Sequence, residues 1–417
     1  MKHIKHIAFI YCLLLYAIQS ISQSLSLPGP LQGEIPFDLE VLAKAPAFRW
    51  ENQKDSIWSL FYEGGQFNGK RTEVFAYYAS PATLQGEKAK IKKFPAVILV
   101  HGGGGTAFPV WVHEWAKKGY AAITMDLGGA RPLPANEQPS PWAAKSSLLP
   151  NGAPDDTHVY KFYSINKGFS EQWQFHAVAN IIRAHSLIRS FADTDSSKTA
   201  LTGISWGGYL TNIVAGIDHR FKAAVPVYGC GFLQEKSAWL SRFDSLGLGN
   251  SRKWIRLWEP SAYVGNARMP VLFVNGTNDF AYHVESWQKT VDLVPNAEQL
   301  LIFEMPHGHP KGAEPSEIGM FIKEVLADKM NVPELGLPQK IGKWFEVAVE
   351  TDHEIKEANF VFTKDTGENK ERKWEIIPAT FREGAITAEG AHDIKAAYFQ
   401  VTYSSDGQRI SSPVIFN

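Results

Sequence analysis

Six strand-length, mostly apolar runs constrain this chain more than any other feature. PAVILV (95–100), YAAITMDL (120–127), KTALTGIS (198–205), FKAAVPVYG (221–229), MPVLFVNG (269–276) and QLLIFEMP (299–306) are strand-length and rich in β-branched residues. None shows the polar alternation of a half-exposed strand, so each is expected to be covered on both faces. Helical patterns separate them. VHEWAKKG (112–119) closes at a glycine, EQWQFHAVANIIRAHSLIRSF (171–191) carries apolar residues at helical spacing, and GGYLTNIVAGI (207–217) and EIGMFIKEVLADKM (317–330) follow. Strand and helix in alternation predict an α/β fold, a mostly parallel, doubly wound sheet with helices on both faces.

The flanking segments read differently. Residues 23–90 hold short aromatic and β-branched runs stopped by Gly and Pro, a β-rich extension of the 91–330 core. Residues 128–170 carry Pro132, Pro134, Pro139, Pro141, Pro150 and Pro154. An irregular segment of that length inside a compact domain is expected to be a lid or binding loop. After the bridge NVPELGLPQ, residues 338–417 lose the helical period and alternate as short strands, predicting a small C-terminal all-β sandwich of immunoglobulin or fibronectin type III kind. Residues 1–22 have a basic start at Lys2 and Lys5, an apolar stretch over 7–18 and small residues after it, the pattern of a signal peptide cut near Gln23. That stretch is shorter than the roughly 20 residues of a spanning helix, so export to the periplasm or outside the cell, with no membrane anchor after cleavage, is the expectation. Cys230 is then the remaining cysteine, read as a buried free thiol, and no internal disulfide forms. With 42 basic and 43 acidic residues and no long basic run, nucleic acid is not an expected partner.

The chemistry gathers where the apolar runs end. Gly203-Ile204-Ser205-Trp206-Gly207 fits G-x-S-x-G between a strand and a helix. A tight strand-to-helix turn admits only small residues at 203 and 207 and lifts the Ser205 hydroxyl above the sheet as a nucleophile. The Trp206 N–H, at a helix start, then points at an oxyanion. PAVILV runs into His101-Gly102-Gly103-Gly104-Gly105, where Gly103 or Gly104 supplies the second donor and His101 orients the loop. A serine needs a histidine base and a carboxylate to orient it. Asp279 lies just past MPVLFVNG, and His307 and His309 just past QLLIFEMP, on the edge where Ser205 sits. The Gly308-His309 pair favours His309 as the base and makes His307 a pocket residue; His307 is close enough in sequence for the reverse. The His-x-His pair has no carboxylate or cysteine cluster beside it, so neither a metal nor a cofactor is expected.

Together these residues resemble the α/β-hydrolase superfamily, most nearly its acetylxylan-esterase-like and dienelactone-hydrolase-like members and the catalytic domain of prolyl oligopeptidases. The resemblance covers about residues 90–330 and rests on VHGGGGTAF, GYAAITMDLGG, GISWGGY, NGTNDFAY and the HGH segment. It implies a Ser205–Asp279–His309 (or His307) triad with Trp206 and Gly103 or Gly104 at the oxyanion hole. Dienelactone hydrolases carry cysteine where Ser205 stands, and only some 70 mature residues precede the core, too few for the propeller of prolyl oligopeptidases. The implied activity is a serine carboxylesterase acting on an ester substrate, removing acetyl groups from a carbohydrate. Trp142, Tyr160, Phe162 and Tyr163 of the lid are candidates to line a sugar cleft, against a packed surface excursion. Two other readings stand beside it. One is a prolyl-oligopeptidase-type peptidase; the other is a non-catalytic glycan binder using Trp344, Trp374 and Tyr398 of the sandwich, which otherwise form its core.

Overall fold

The computed structural model describes residues 35–86, 92–403 and 407–417. Residues 1–22, with the pattern read as a signal peptide, lie outside them. Nine strands form the main sheet: β1 (Phe48–Asn52), β2 (Trp58–Phe67), β3 (Lys70–Ala79), β4 (Phe94–Val100), β5 (Ala121–Met125), β6 (Thr194–Ile204), β7 (Ala223–Val227), β8 (Leu272–Gly276) and β9 (Glu298–Ile302). Their order is β1-β2-β3-β5-β4-β6-β7-β8-β9. The first three are antiparallel to their neighbours, and from β5 to β9 every pairing is parallel. The continuous apolar runs explain this: every residue of β5, β7 and β8 is buried, as strands covered on both faces require.

The connection β4–β5 runs one way along the sheet and β5–β6 runs back. With right-handed crossovers, α1 (Pro109–Lys117) and α2 (Trp173–Ile188) therefore fall on opposite faces. α3 (Trp206–Ala215) packs beside α2, and the chain continues through α4 (Leu240–Trp258), α5 (Val284–Val291), the short α6 (His309–Ala313) and α7 (Ser316–Leu326). The reversal of winding at β4 and β6 opens a crevice at the carboxyl ends of the strands, where an open α/β sheet places its site.

The segment 128–170 is a folded excursion with a short ribbon, Ala130–Pro132 against Ser146–Leu148, and one wide helical turn, Val159–Tyr163. Two antiparallel sheets follow α7. In one, Trp344–Glu350 pairs with Ala385–Glu389; in the other, Ile355–Thr363 lies between Trp374–Pro378 and Ala396–Tyr403. Phe345, Val347, Phe360, Phe362, Phe399 and Val401 fill the space between them. The alternate residues of the second sheet, with Val361, Trp374 and Tyr398 among them, join the hydrophobic core of the main sheet instead. Trp374 and Tyr398 are buried there, which removes them as sugar platforms; Trp344 is the exposed one of the three.

Candidate active site

Ser205 ends β6 and caps α3 in a conformation that few side chains adopt, φ 59° and ψ −119°. The crowding around it explains the two glycines of the pentad. A Cβ on Gly203 would come 2.3 Å from the Gly207 carbonyl oxygen, and one on Gly207 would come 2.0 Å from that of Val100. Both contacts are with backbone, so no rotamer relieves them. The turn is tied to β7 by Ser205 N–H donating to Val227 O at 2.9 Å.

His307, not His309, meets the serine. Ser205 Oγ lies 2.9 Å from His307 Nε2, and His307 Nδ1 lies 2.6 Å from Asp279 Oδ2. A carboxylate only accepts, so Asp279 fixes the proton on Nδ1 and leaves Nε2 free to take one from the hydroxyl. Asp279 is buried, and its other oxygen accepts from the N–H groups of Ala281 and Tyr282, both at 2.8 Å. Tyr228 stacks on the His307 ring with centroids 4.4 Å apart and donates its hydroxyl to Pro306 O, so one side chain sets both the ring plane and the preceding backbone.

His309 begins α6, and that turn swings its ring toward the glycine loop. Its Nε2 accepts from Gly102 N–H at 2.8 Å, and Phe108 packs on it. Burial, with His101 and His307 nearby, pushes its pKa down to about 3, so the ring is neutral and serves as an acceptor. The expectation that His309 is the base and His307 the pocket residue is thus reversed: the lone pair a base needs is already occupied. His101 donates through Nδ1 to Gly102 O (2.7 Å) and accepts Leu127 N–H on Nε2, holding the same loop to β5.

Of the two glycine donors, Gly104 is taken, since its N–H donates to Asp156 Oδ2 at 2.7 Å. Among the described residues neither Gly103 N–H nor Trp206 N–H has an acceptor. The Gly103 backbone lies so close to the Trp206 ring that an added Cβ would stand 2.7 Å from Cδ1. A Cβ on Gly102, next to Gly103, would stand 2.9 Å from that of Ser205, so both unclaimed N–H groups belong to residues that border the space around Ser205.

Sequence reading missed the side chains behind that space. Lys161, on the wide turn of the lid, is buried with its Nζ 4.7 Å from the ring centres of both Trp173 and Trp206. Its carboxylate partner is Asp156 at 3.2 Å, the same oxygen that holds Gly104. Burial lowers the Lys161 pKa; burial alone would raise that of Asp156, but the Lys161 charge and the Gly104 N–H bring it down. No sequence rule finds such a lysine, because lysines are almost never fully buried. Phe162 next to it stacks on Trp254 and is fully buried, and Trp142 packs on Phe108 and Trp111. Of the four lid aromatics, Phe162 cannot line a cleft; Tyr163 is exposed. Among the described residues no cluster of metal-ligating side chains occurs.

The sheet, the strained serine turn and the histidine–carboxylate pair define the class: an α/β-hydrolase fold of the serine type. Two families within it are matched in part. The acetyl xylan esterase (AXE1) family model matches residues 48–237, and the prolyl oligopeptidase family model matches residues 160–319. Curated relatives include the acetyl esterase Axe7A of Xylanibacter ruminicola, 23% identical over 188 residues, and the uncharacterised peptidase YuxL of Bacillus subtilis, 23% identical over 248. Those alignments cover 42% and 55% of this chain but only 38% and 30% of the two relatives. Among solved structures, the acetyl xylan esterase of Paenibacillus sp. R4 superposes with a TM-score of 0.53 at 18% identity, covering 72% of this chain and 97% of that one. Acetyl xylan esterase 1 of Thermoanaerobacterium sp. JW/SL YS485 gives 0.51 at 15%, covering 74% and 98%.

Proposed function

We propose that this protein is an exported serine carboxylesterase that removes acetyl groups from a carbohydrate through an acyl-enzyme. The observation that carries the chemistry is the continuous relay from Ser205 Oγ through His307 to Asp279, at 2.9 and 2.6 Å. His307 Nε2 takes the serine proton as Oγ attacks the ester carbon, and Asp279 holds the imidazolium that forms. The carbonyl oxygen, now negative, lies between the N–H groups of Trp206 and Gly103, at the start of α3. His307 then protonates the sugar oxygen, which leaves as the alcohol. A water, deprotonated by the same ring, repeats the attack and releases acetate. The substrate class is supported by the AXE1 match and by the name of the Axe7A relative, and export by the pattern of residues 1–22.

A peptidase reading is kept because the prolyl oligopeptidase model matches residues 160–319, and both readings share the relay. Initial rates of the mature protein and Ser205→Ala on p-nitrophenyl acetate, p-nitrophenyl butyrate, acetylated xylan and an Ala-Pro anilide separate them. Serine-dependent acetate release from the polysaccharide is the expected result. Turnover confined to the anilide would replace the esterase with a peptidase, and full activity of Ser205→Ala would remove both.

A further inference from the structure

The loop that carries Asp279 is held from outside its own domain. Asn369 sits on a single helical turn, Asn369–Glu371, in the connection between two strands of the C-terminal sandwich. Its side chain is fully buried against the strand β8 exit. Nδ2 donates to the Asp279 carbonyl oxygen at 2.9 Å and to that of Thr277 at 3.1 Å. Both partners are carbonyls, so the amide must face them with its NH₂ group. The Asn369 Oδ1 is left buried without a partner, a cost that natural cores rarely accept without return. The grip is mutual. Asn278, between the two carbonyls, donates its own Nδ2 to Arg372 O at 2.6 Å. Arg372 is buried and pairs with Glu285 at 2.5 Å, on the helix that follows the loop.

We propose that Asn369 is a positioning residue for Asp279, so that the sandwich completes the active site rather than hanging from it. The proposal rests on the reading of Asp279 as the acid of the relay. The physical reason is local. The Asp279 carboxylate is aimed by N–H groups of residues 281 and 282, downstream in the same loop. The peptide units at Thr277 and Asp279 turn their carbonyls outward, and among the described residues Asn369 is the donor that meets them both. Without it those carbonyls lose their buried partner, and rotation of the peptide after Asp279 would carry the carboxylate away from His307 Nδ1. A displacement of about 1 Å in a catalytic group costs on the order of 10²-fold in rate.

The test is a double-mutant cycle in the full chain. Asn369→Ala, Asp279→Asn and the pair are compared for kcat and KM on p-nitrophenyl acetate, with thermal midpoints alongside. Asn369→Ala is expected to lower kcat roughly 10- to 100-fold with KM little changed. In the Asp279→Asn background the same change is expected to cost almost nothing further, because its path runs through the carboxylate. Asn278→Ala, which releases the clasp from the other side, serves as the second variant if Asn369→Ala does not fold, and a smaller loss of kcat at constant KM is expected. Native kcat in a folded Asn369→Ala, or an equal loss with and without Asp279, overturns the proposal. An Asp279→Asn enzyme with native kcat removes the relay itself, a failure distinct from that of the clasp.

Discussion

At the scale of single residues, two histidines one glycine apart have unlike duties. His307 Nε2 faces the serine, and His309 Nε2 is spent on Gly102 N–H. His307→Ala is therefore expected to reduce kcat by at least about 10⁴-fold, as loss of a triad base does. His309→Ala removes an acceptor from the glycine loop, with an expected loss on the order of 10-fold that leaves the relay intact. Initial rates on p-nitrophenyl acetate, with rates of inactivation by a serine-directed phosphonate, separate the two, and equal losses would return His309 to candidacy as the base. The residue types at these positions were legible in the sequence because strand ends fix which edge they occupy. The choice between the histidines was not. It depends on where α6 begins: His309 is its first residue and turns to the glycine loop, while His307 lies two residues earlier, on the strand exit, and faces the serine. The same holds for Gly103 and Gly104, which only the Asp156 carboxylate tells apart.

At the scale of elements, the 128–170 excursion is bound to the glycine loop through a charge. Its length and prolines made 128–170 legible as an irregular excursion from the sheet. Its grip was not, because it hangs on a buried lysine between two indoles, with a carboxylate that reaches Gly104. Lys161→Met keeps the volume but leaves Asp156 without its cation. Asp156→Asn removes the charge and weakens the hold on Gly104. Both are expected to lower kcat about 10-fold or more while KM for a small ester barely moves, since Lys161 is buried and Asp156 acts through the Gly104 N–H that it holds. Lys161→Met is also expected to destabilise the fold by roughly 1–3 kcal/mol, because Asp156, a quarter exposed, loses its cation and keeps only the Gly104 N–H. Steady-state kinetics and urea melts check both halves. A change in KM alone would make the lid a substrate wall rather than a support for the glycine loop.

At the scale of the whole molecule, the doubly wound sheet was legible from the six apolar runs, and the sandwich from the loss of helical period. How they join was not, because Val361, Trp374 and Tyr398 carry the same alternation whether they face solvent, sugar or another sheet. They face the main core. The joined molecule also buries titratable groups of opposite habit, which shapes its stability against pH. Burial drives His176 and His185 down to about 4, and His309 to about 3. These rings are neutral when folded and take protons when unfolded, so the stability they allow is present above pH 6.5 and is lost as pH falls toward 4. Burial drives Glu259 up to about 7 and Glu298, with Glu324 nearby, up to about 8. Here the folded state keeps protons that the unfolded chain releases from about pH 4.5, so stability falls as pH rises from there and levels off past 7 and 8, where the folded carboxyls ionise too. The two trends cross, and the melting temperature is expected to peak between about pH 6 and 7. Glu298→Gln isolates the alkaline arm. Its gain in melting temperature over the parent is expected to grow from pH 5 to 8 and then level off, once the native carboxyl has ionised. A gain that is constant across that range would mean Glu298 ionises alike in both states, and the alkaline arm would rest on Glu259 alone.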